Sequence, residues 1–434
     1  MTRPSLFTQP LPPWSIRCLV ALLALAYASE ALAQSEPDPD SGEFEASKAP
    51  DQQYAMPDLP PWLADRKHFE FRRFSVIFGV VMLVDYSAFR QDGRSLSQVG
   101  RQTDQWDARS LRPWMSGTIG DDYQVRYLVA AEYGGFSSAL DDLWELTDLE
   151  ITFPIGGPTT RLTVGKFKET FVYEMVGDAA NLPQQERVLN PFFVGRNVGI
   201  RLAHVIGPEQ RMTASVGVFN DWFVTDESLA DSGTDVTARI TRLAWGSDDG
   251  TRYLHLGVSG RYAGADNDTL RYKGRPESNV TDYYVDTGDL AADHALHLGL
   301  ESLWTNGPFS VLAEYNRVWV DAPASGDPEF SGYYVTGSWV LTGEARPYDR
   351  TVGYARRVIP TGYWGAPELV LRYSHVDLDD QTVLGGSFDK TYLGINVWVS
   401  RQWKLGLGWG HTWLKRGGQS GVTDSLLMRL QWIF

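Results

Sequence analysis

Seven arginines lie in short segments in which every second residue is apolar. They are the residues of this chain best suited to bind anionic groups. Their neighbours of the other parity are mostly apolar, so on extended strands the arginines would share one face. A guanidinium is planar and always charged, and it donates two parallel hydrogen bonds to a carboxylate or a phosphate. The pattern therefore predicts that one face of these segments carries positive charge. These residues are Arg112, Arg126, Arg201, Arg239, Arg261, Arg372 and Arg429.

The C-terminal segment 426–434 indicates which kind of element carries such a face. Alternate residues of this segment form one wholly apolar face on an extended chain, whereas Arg429 and Gln431 lie on the other face. A strand that is apolar on one side, more polar on the other and closed by an aromatic residue is typical of a membrane β-barrel. The apolar face comprises Leu426, Met428, Leu430, Trp432 and Phe434.

Short alternating segments of the same kind recur from about residue 72 onward, bounded by Gly, Asp, Asn and Pro. Sixteen candidates can be counted, and a barrel with both termini on one side of the membrane requires an even number. The sequence therefore predicts an all-β fold, a transmembrane antiparallel β-barrel of about sixteen strands. The candidates lie near 72–89, 108–119, 122–134, 143–154, 159–172, 197–206, 211–220, 235–246, 252–263, 294–305, 308–320, 332–343, 367–378, 389–399, 402–414 and 424–434.

The N-terminal region predicts export. Arg3 and Arg17 precede an apolar run over 18–28, and the small residues Ala31 and Ala33 follow it. This is the pattern of a cleavable signal peptide, here over residues 1–33. Residues 34–71 are rich in Pro, Asp, Glu and Ser and predict a flexible periplasmic leader, so the barrel would occupy 72–434. We expect the mature protein in the outer membrane of a Gram-negative-type cell.

The composition agrees with a barrel and excludes some partners. The chain of 434 residues contains 16 Trp and is 13% aromatic, which is rich for an ordinary secreted domain. The one cysteine, Cys18, lies in the signal peptide, so no disulfide is expected in the mature chain. The net charge of −15 argues against nucleic-acid binding. The expected partners are membrane lipid and lipopolysaccharide, which acidic outer loops could bridge through divalent cations.

The connections between the candidate strands provide a second test of the barrel. Most of the turns expected on the periplasmic side are short, whereas segments such as 173–196, 221–234 and 264–293 are long. Segment 344–365 is the exception, because it should be a periplasmic turn and yet is long. It either folds into the lumen and adds cations there, or forms a solvated loop. Its cations are Arg346, Arg350, Arg356 and Arg357, which meet only Glu344 and Asp349 within the segment.

The predicted lumenal face has two interpretations. Seven arginines outnumber five acidic residues on this face, so it would carry net positive charge. A low-dielectric wall would focus the resulting field into the lumen and favour the passage of anions. Alternatively, the arginines and acids pair across the wall and leave no net selectivity. The five acids are Asp85, Glu132, Glu150, Glu301 and Glu314.

Several short runs between residues 164 and 374 are informative through their order and spacing. They include Val164-Gly165-Lys166-Phe167-Lys168-Glu169, Gly195-Arg196-Asn197-Val198-Gly199, Gly217-Val218-Phe219-Asn220 and Leu341-Thr342-Gly343-Glu344. Further runs are Arg346-Pro347-Tyr348, Trp364-Gly365-Ala366 and Arg372-Tyr373-Ser374. On these runs the chain resembles the phosphate-selective porin O and P family from about Arg109 to Phe434. The similarity is densest in 164–171 and continues through 186–187, 195–199, 217–220, 335–348 and 364–378.

The resemblance implies a homotrimeric porin whose third external loop, matching 172–196, folds inward as a constriction. It also implies passive diffusion of small hydrophilic anions, with a preference for phosphate or polyphosphate. Lys166, Lys168, Arg187 and Arg196 would then join the lumenal arginines as contacts. The alternation from Leu162 points Lys166 outward, so it needs a bulge or the barrel's end to reach the lumen. The alternative is a general porin with no phosphate site.

Two other functions are disfavoured by the sequence. A barrel enzyme would need a nucleophile with a positioned histidine near the rim. His255 and His297 point inward by parity and His411 points outward, and none has a recognisable catalytic spacing. An energy-coupled receptor would need an N-terminal plug and about 22 strands. No catalytic residue, cofactor or metal site is therefore expected.

Overall fold

A computed structural model describes residues 69–71, 73–120, 125–133, 144–220, 232–265 and 267–434. The predicted signal peptide and all but the last residues of the predicted leader lie outside these ranges. Phe69–Phe71 form a short strand that pairs with the start of the barrel, so the sheet begins inside the stretch that the sequence assigned to the leader.

Sixteen antiparallel strands form the barrel, as the sequence predicted, and we number them in chain order. The first eight are β1 (Phe74–Gln91), β2 (Gln105–Ile119), β3 (Val125–Tyr133), β4 (Trp144–Pro154), β5 (Thr160–Lys168), β6 (Arg196–Ile206), β7 (Met212–Asn220) and β8 (Ser232–Gly246). The others are β9 (Arg252–Ala265), β10 (His294–Asn306), β11 (Phe309–Asp321), β12 (Glu329–Val340), β13 (Ala366–Asp380), β14 (Val383–Trp398), β15 (Trp403–Arg416) and β16 (Gln419–Ile433).

The barrel closes where β1 pairs with β16. Their register runs from Val81 opposite Ile433 to Gln91 opposite Thr423. Val80 and Phe434 also exchange two backbone hydrogen bonds of 2.9 Å. Closure removes the unpaired sheet edge, which a strand protein in lipid requires because hydrocarbon offers no hydrogen-bond partner.

The alternation of side chains separates an apolar outer face from a polar inner face. On β16, Leu426 and Met428 are exposed on the outside, whereas Leu427, Arg429 and Gln431 are buried inside. The outer face of β15 is similarly apolar, with exposed Trp403, Leu405, Leu407, Trp409 and Trp413. The residues predicted to face lipid on these two strands therefore do lie on the outer face.

Most described connections at one end of the barrel are short, with segment 341–365 as the long exception, whereas the other long loops lie at the opposite end. The turns 155–159, 207–211, 247–251, 307–308 and 399–402 lie at the end where β1 begins and β16 ends, which we call the turn end. The opposite end, the loop end, carries 92–104, the third loop (169–195) and the fifth loop (described over 267–293). The predicted strand 159–172 was too long, because β5 stops at Lys168 and the third loop starts there.

The third and fifth loops fold into the barrel and build a core against β9–β15. Phe171, Leu189 and Phe192 of the third loop pack in one buried cluster with Tyr272 of the fifth loop and Phe330 of β12. The third loop carries a short helix, Tyr173–Val176, and two 3₁₀ turns, Ala179–Asn181 and Asn190–Phe192. Gly93–Val99 forms one further short helix at the loop end. No helix in the described part of the chain has the length and apolar content needed to cross a membrane.

Candidate functional site

A cavity of about 320 Å³ lies between the inner wall of the first strands and the inserted segments. Its lining extends from Thr159 and Arg161 at the turn end to Lys168 and Thr170 where the third loop begins, which is the length of β5. The basic lining residues are Arg109, Arg112, Arg126, Arg161, Lys168, Arg187, Arg196, Arg201, Arg239, Arg356 and Arg357. The acidic lining residues are Asp148, Glu150, Glu169 and Asp178.

The strand alternation places the wall arginines inside the barrel. Arg112 on β2 donates from Nε to Glu132 of β3 at 2.6 Å. The Arg201 guanidinium lies 4.8 Å from the centroid of the Phe167 ring. On β8, an Nη of Arg239 lies 2.6 Å from Glu301. Each of these arginines is therefore held by the wall and still lines the cavity.

The third loop and the strand ends that flank it bring further cations to the cavity. Lys168 pairs with Asp178 at 2.8 Å, and Arg196 pairs with Asp148 at 2.9 Å. Arg187 donates to the backbone carbonyl of Gly177 at 3.2 Å and to that of Glu174. Burial would raise the pKa of Asp178, but the Lys168 ammonium outweighs it and holds this pKa far below its ordinary value. The carboxylate thus stays charged and fixes the start of the loop.

Arg109 of β2 was missed by the sequence analysis because a bulge changes the parity at this point. Leu83 pairs with Ser110 but Asp85 pairs with Asp107, so β2 has one extra residue here. Arg109 reaches Glu186 of the third loop at 2.8 Å. Arg161 was also missed, although the alternation of Leu162 and Val164 could have identified it.

Segment 344–365 enters the lumen, in agreement with the first of its two interpretations. Tyr348–Asp349 pair with Tyr354–Ala355, forming a hairpin. The Ala355 amide donates to the Tyr173 hydroxyl of the third loop at 2.8 Å, and Arg239 donates to the carbonyls of Val352 and Gly353 at 3.0 and 2.7 Å. The hairpin from the turn end therefore meets the third loop inside the barrel.

The four arginines of this segment have different positions. Arg356 and Arg357 line the cavity, and Arg356 Nε lies 3.0 Å from Asp349. Arg346 is buried against Glu368 of β13, an ion pair that the sequence analysis did not foresee. Arg350 donates to the Glu209 carbonyl at 3.1 Å, in a turn at the turn end.

Three of the predicted lumenal arginines are buried between pairs of carboxylates, outside the cavity lining. Arg261 contacts Glu169 at 2.8 Å and Asp235 at 2.7 Å. Arg372 contacts Glu174 of the third loop at 2.7 Å and Glu277 of the fifth loop. Arg429 contacts Asp85 and Glu186, both at 2.6 Å. These arginines hold loops and strands together.

Lys166 also lies outside the cavity lining. It pairs in the sheet with Leu149, whose side chain is exposed on the outer face. Its Nζ lies 3.3 Å from Glu145. The structure thus gives Lys166 the outward parity that the alternation predicted.

The predicted histidines lie where parity placed them. His255 and His297 are buried on the inner side, and His255 bonds to Glu301 at 2.8 Å and to the Tyr348 hydroxyl at 2.7 Å. His411 contacts Asp424 on the outer face at 2.7 Å. Within the described ranges no group of three or more His, Cys, Asp or Glu residues is arranged to hold a metal ion.

The lining of the cavity carries an excess of positive charge. Eleven basic residues face four acidic ones. The carboxylates of Glu132, Glu186, Glu301 and Asp349, which are not among the lining residues, pair with lining arginines and offset part of this excess. A narrow space between low-dielectric walls focuses such a field and concentrates anions.

Solved structures share this fold. An anion-selective porin from Comamonas acidovorans superposes with a TM-score of 0.54 at 12% identity, covering 83% of this chain and 100% of that chain. OmpT, an outer membrane protein of Vibrio cholerae, gives 0.51 at 11% identity, with coverage of 85% and 99%. OprB of Pseudomonas putida gives 0.51 at 10% identity, with coverage of 84% and 94%. At these identities the likeness shows the fold alone.

Sequence comparison identifies the family. Porin O of Pseudomonas aeruginosa is 26% identical over 217 residues, which cover 42% of this chain and 49% of that protein. An uncharacterized protein of Caulobacter vibrioides is 25% identical over 277 residues, covering 59% and 54%. The chain thus spans about half the length of these relatives. The family profile described as phosphate-selective porin O and P matches residues 82–434, most of the chain. With the closed sixteen-stranded barrel, this match shows that the chain belongs to the phosphate-selective porin O and P family.

Proposed function

We propose that this porin lets small hydrophilic anions diffuse passively across the outer membrane and that its cavity favours oxyanions. The observation that carries the proposal is that eleven basic residues and four acidic residues line a cavity of about 320 Å³. Ten of the eleven basic lining residues are arginines, whose planar fork fits oxyanions. Solutes would move down their own gradient, with the field repelling cations.

The proposal includes a cellular setting. Residues 1–33 would direct export and 34–68 would lie in the periplasm, at the turn end. The apolar outer face would contact lipid, and the loop end would face outward beside lipopolysaccharide. We also propose a homotrimer, which the sequence resemblance implies; one structure of Vibrio cholerae OmpT is itself described as a trimer form.

A second candidate is a weakly selective porin with no phosphate site. Ion pairing favours it, because Arg109, Arg112 and Arg196 each pair with a carboxylate. Only one lysine, Lys168, stands among the lining residues of the described chain. In this case the charges would stiffen the wall more than they select the solute.

Recording in a planar lipid bilayer tests both candidates. Under a KCl gradient, we expect a reversal potential of the sign given by chloride permeation, because the cavity is net positive. A potential of the opposite sign would refute anion preference. Added inorganic phosphate should reduce the chloride current at millimolar concentration if an oxyanion site exists. Anion preference without phosphate block would instead support the weakly selective porin.

A further inference from the structure

One part of the cavity wall is apolar, which is unusual for the inner face of a porin. Six residues of four neighbouring strands form it, and the Trp114 ring, which lies over Gly79 two residues before Val81, brings its two groups together. Val81 lies opposite Ile433, and Trp114 lies opposite Ala130. The six residues, which we call the apolar wall, are Val81, Leu83, Trp114, Leu128, Ala130 and Ile433.

Trp114 is the largest member of the apolar wall, and the barrel accommodates its ring. It pairs in the sheet with Gly79, and a Cβ added to Gly79 would collide with the indole. The ring therefore lies against the bare backbone of Gly79. Its exposed fraction is 7%, and it still lines the cavity. The small exposed part of the ring therefore belongs to the cavity wall.

Unused hydrogen-bonding groups accompany this surface. The indole Nε1 of Trp114 and the hydroxyls of Ser110 and Thr170 are buried and make no hydrogen bond to any described residue. All three side chains line the cavity. A buried donor without a partner is costly, and a bound solute that offers an oxygen atom removes that cost. Ser110, Arg112 and Trp114 share one face of β2, so donors, charge and ring follow one stripe.

We infer that the cavity takes organic anions, in particular carboxylates that carry an aromatic or branched aliphatic body, in preference to small anions that lack such a body. The lining arginines attract the carboxylate, the apolar wall contacts the body, and Trp114 Nε1 donates to an oxygen. Apolar walls with a few placed polar groups are typical of sites for small organic ligands, and the cavity volume lies at the lower end of their range. This inference rests on the proposed anion channel and names its solute class.

Block of the chloride current in a bilayer tests the inference with benzoate and formate as probes. Both are monocarboxylates, and only benzoate carries an apolar body. We expect benzoate to halve the current at a concentration at least about tenfold below that of formate, because the ring buries apolar surface against the wall. Equal potency of the two anions would overturn the inference.

Three variants test whether the apolar wall causes the preference for benzoate over formate. Trp114→Leu should reduce the preference for benzoate over formate to about threefold or less, because part of the aromatic contact is lost. Trp114→Phe keeps a ring and removes only the donor, so block by both anions should weaken about threefold. Trp409→Leu is the matched control, since Trp409 is exposed on the outer face. It should leave both block constants unchanged.

Each result of these measurements supports or refutes a stated part of the inference. A benzoate preference that survives in full in Trp114→Leu overturns the assignment to the apolar wall, whereas it should survive in Trp114→Phe, which keeps a ring. If Trp114→Leu does not fold, the Phe variant still tests the donor. The reversal potential of the same channels separates the two proposals. A chloride-selective channel that does not distinguish benzoate from formate refutes only this inference, whereas a cation-selective channel refutes the anion channel on which it rests.

Discussion

Both halves of the lumen contain arginines that pair with carboxylates, but two of these arginines are fully buried in one half and two are partly exposed in the other. In the packed half, formed by β9–β15 with the third and fifth loops, Arg261 and Arg372 are each fully buried between two carboxylates. In the cavity half, formed by β1–β8, Arg109 and Arg112 each pair with one carboxylate, and their side chains are 26% and 24% exposed.

The difference separates structural arginines from those that can act on a solute. An arginine between two carboxylates has no charge to offer, and its ion pairs tie the inserted loops to the wall. Arg372 joins both loops, because Glu174 belongs to the third and Glu277 to the fifth. An arginine with a single partner at the edge of a cavity still contributes to the field inside it. Neutralisation in the two halves should therefore have different consequences.

The largest expected effect is on stability, from Arg372→Met in the packed half. This change leaves Glu174 and Glu277 buried with much of their counter-charge removed, which should lower the free energy of unfolding by about 3–5 kcal/mol. Arg112→Met in the cavity half leaves only the partly exposed Glu132 and should cost about 1 kcal/mol or less. Urea unfolding in detergent, followed by tryptophan fluorescence, measures both. Equal losses would remove the distinction between the halves.

An intermediate effect concerns selectivity and compares two pairs within segment 344–365. Arg356→Gln with Arg357→Gln removes two charges from the cavity lining, so the chloride-to-potassium permeability ratio should fall about twofold to fivefold. Arg346→Gln with Arg350→Gln removes the same charge from positions outside the lining. This pair should change the ratio less than about twofold.

Bilayer reversal potentials give both permeability ratios, and the electrophoretic shift between folded and heat-denatured barrel confirms folding. A larger effect from the second pair would contradict the position of the cavity. No effect from either pair would mean that this hairpin does not contribute to selectivity.

The smallest effect near neutral pH comes from Glu186 of the third loop, which links the packed half to Arg109 of the cavity half and also pairs with Arg429 of β16. Burial would raise the pKa of Glu186, but the two guanidinium groups outweigh it and lower this pKa from 4.5 to about 2. The stabilisation is therefore complete above pH 4.5 and is lost as the pH falls towards 2.

Unfolding measured between pH 7 and pH 2.5 tests this linkage. The protein should show little change above pH 5 from this group and a loss below 4.5. Glu186→Gln should be less stable at pH 7 and should lose less stability on acidification. An identical pH dependence in the variant would show that Glu186 does not titrate with the loop.

The sequence alone determined the strand count, the faces and the closure of the barrel. Alternation has a period of two residues and is a local property, so segments such as 403–413 and 426–434 assign their own lipid face. It also placed Arg112, Arg201 and Arg239 on the inner side. Asp85 and Arg429 were both predicted to face inward, and both do.

Only the tertiary structure decided which arginines remain available to a solute. Arg429 and its partner Asp85 are 344 positions apart, and Arg372 is neutralised by loops whose paths no local period encodes. The parity rule also fails at Arg109, where a bulge adds one residue. Entry of segment 344–365 depends on contacts with Tyr173 and Arg239, which are distant in the chain. A strand's faces follow from its own residues, whereas the net charge of a cavity depends on every segment that folds into it.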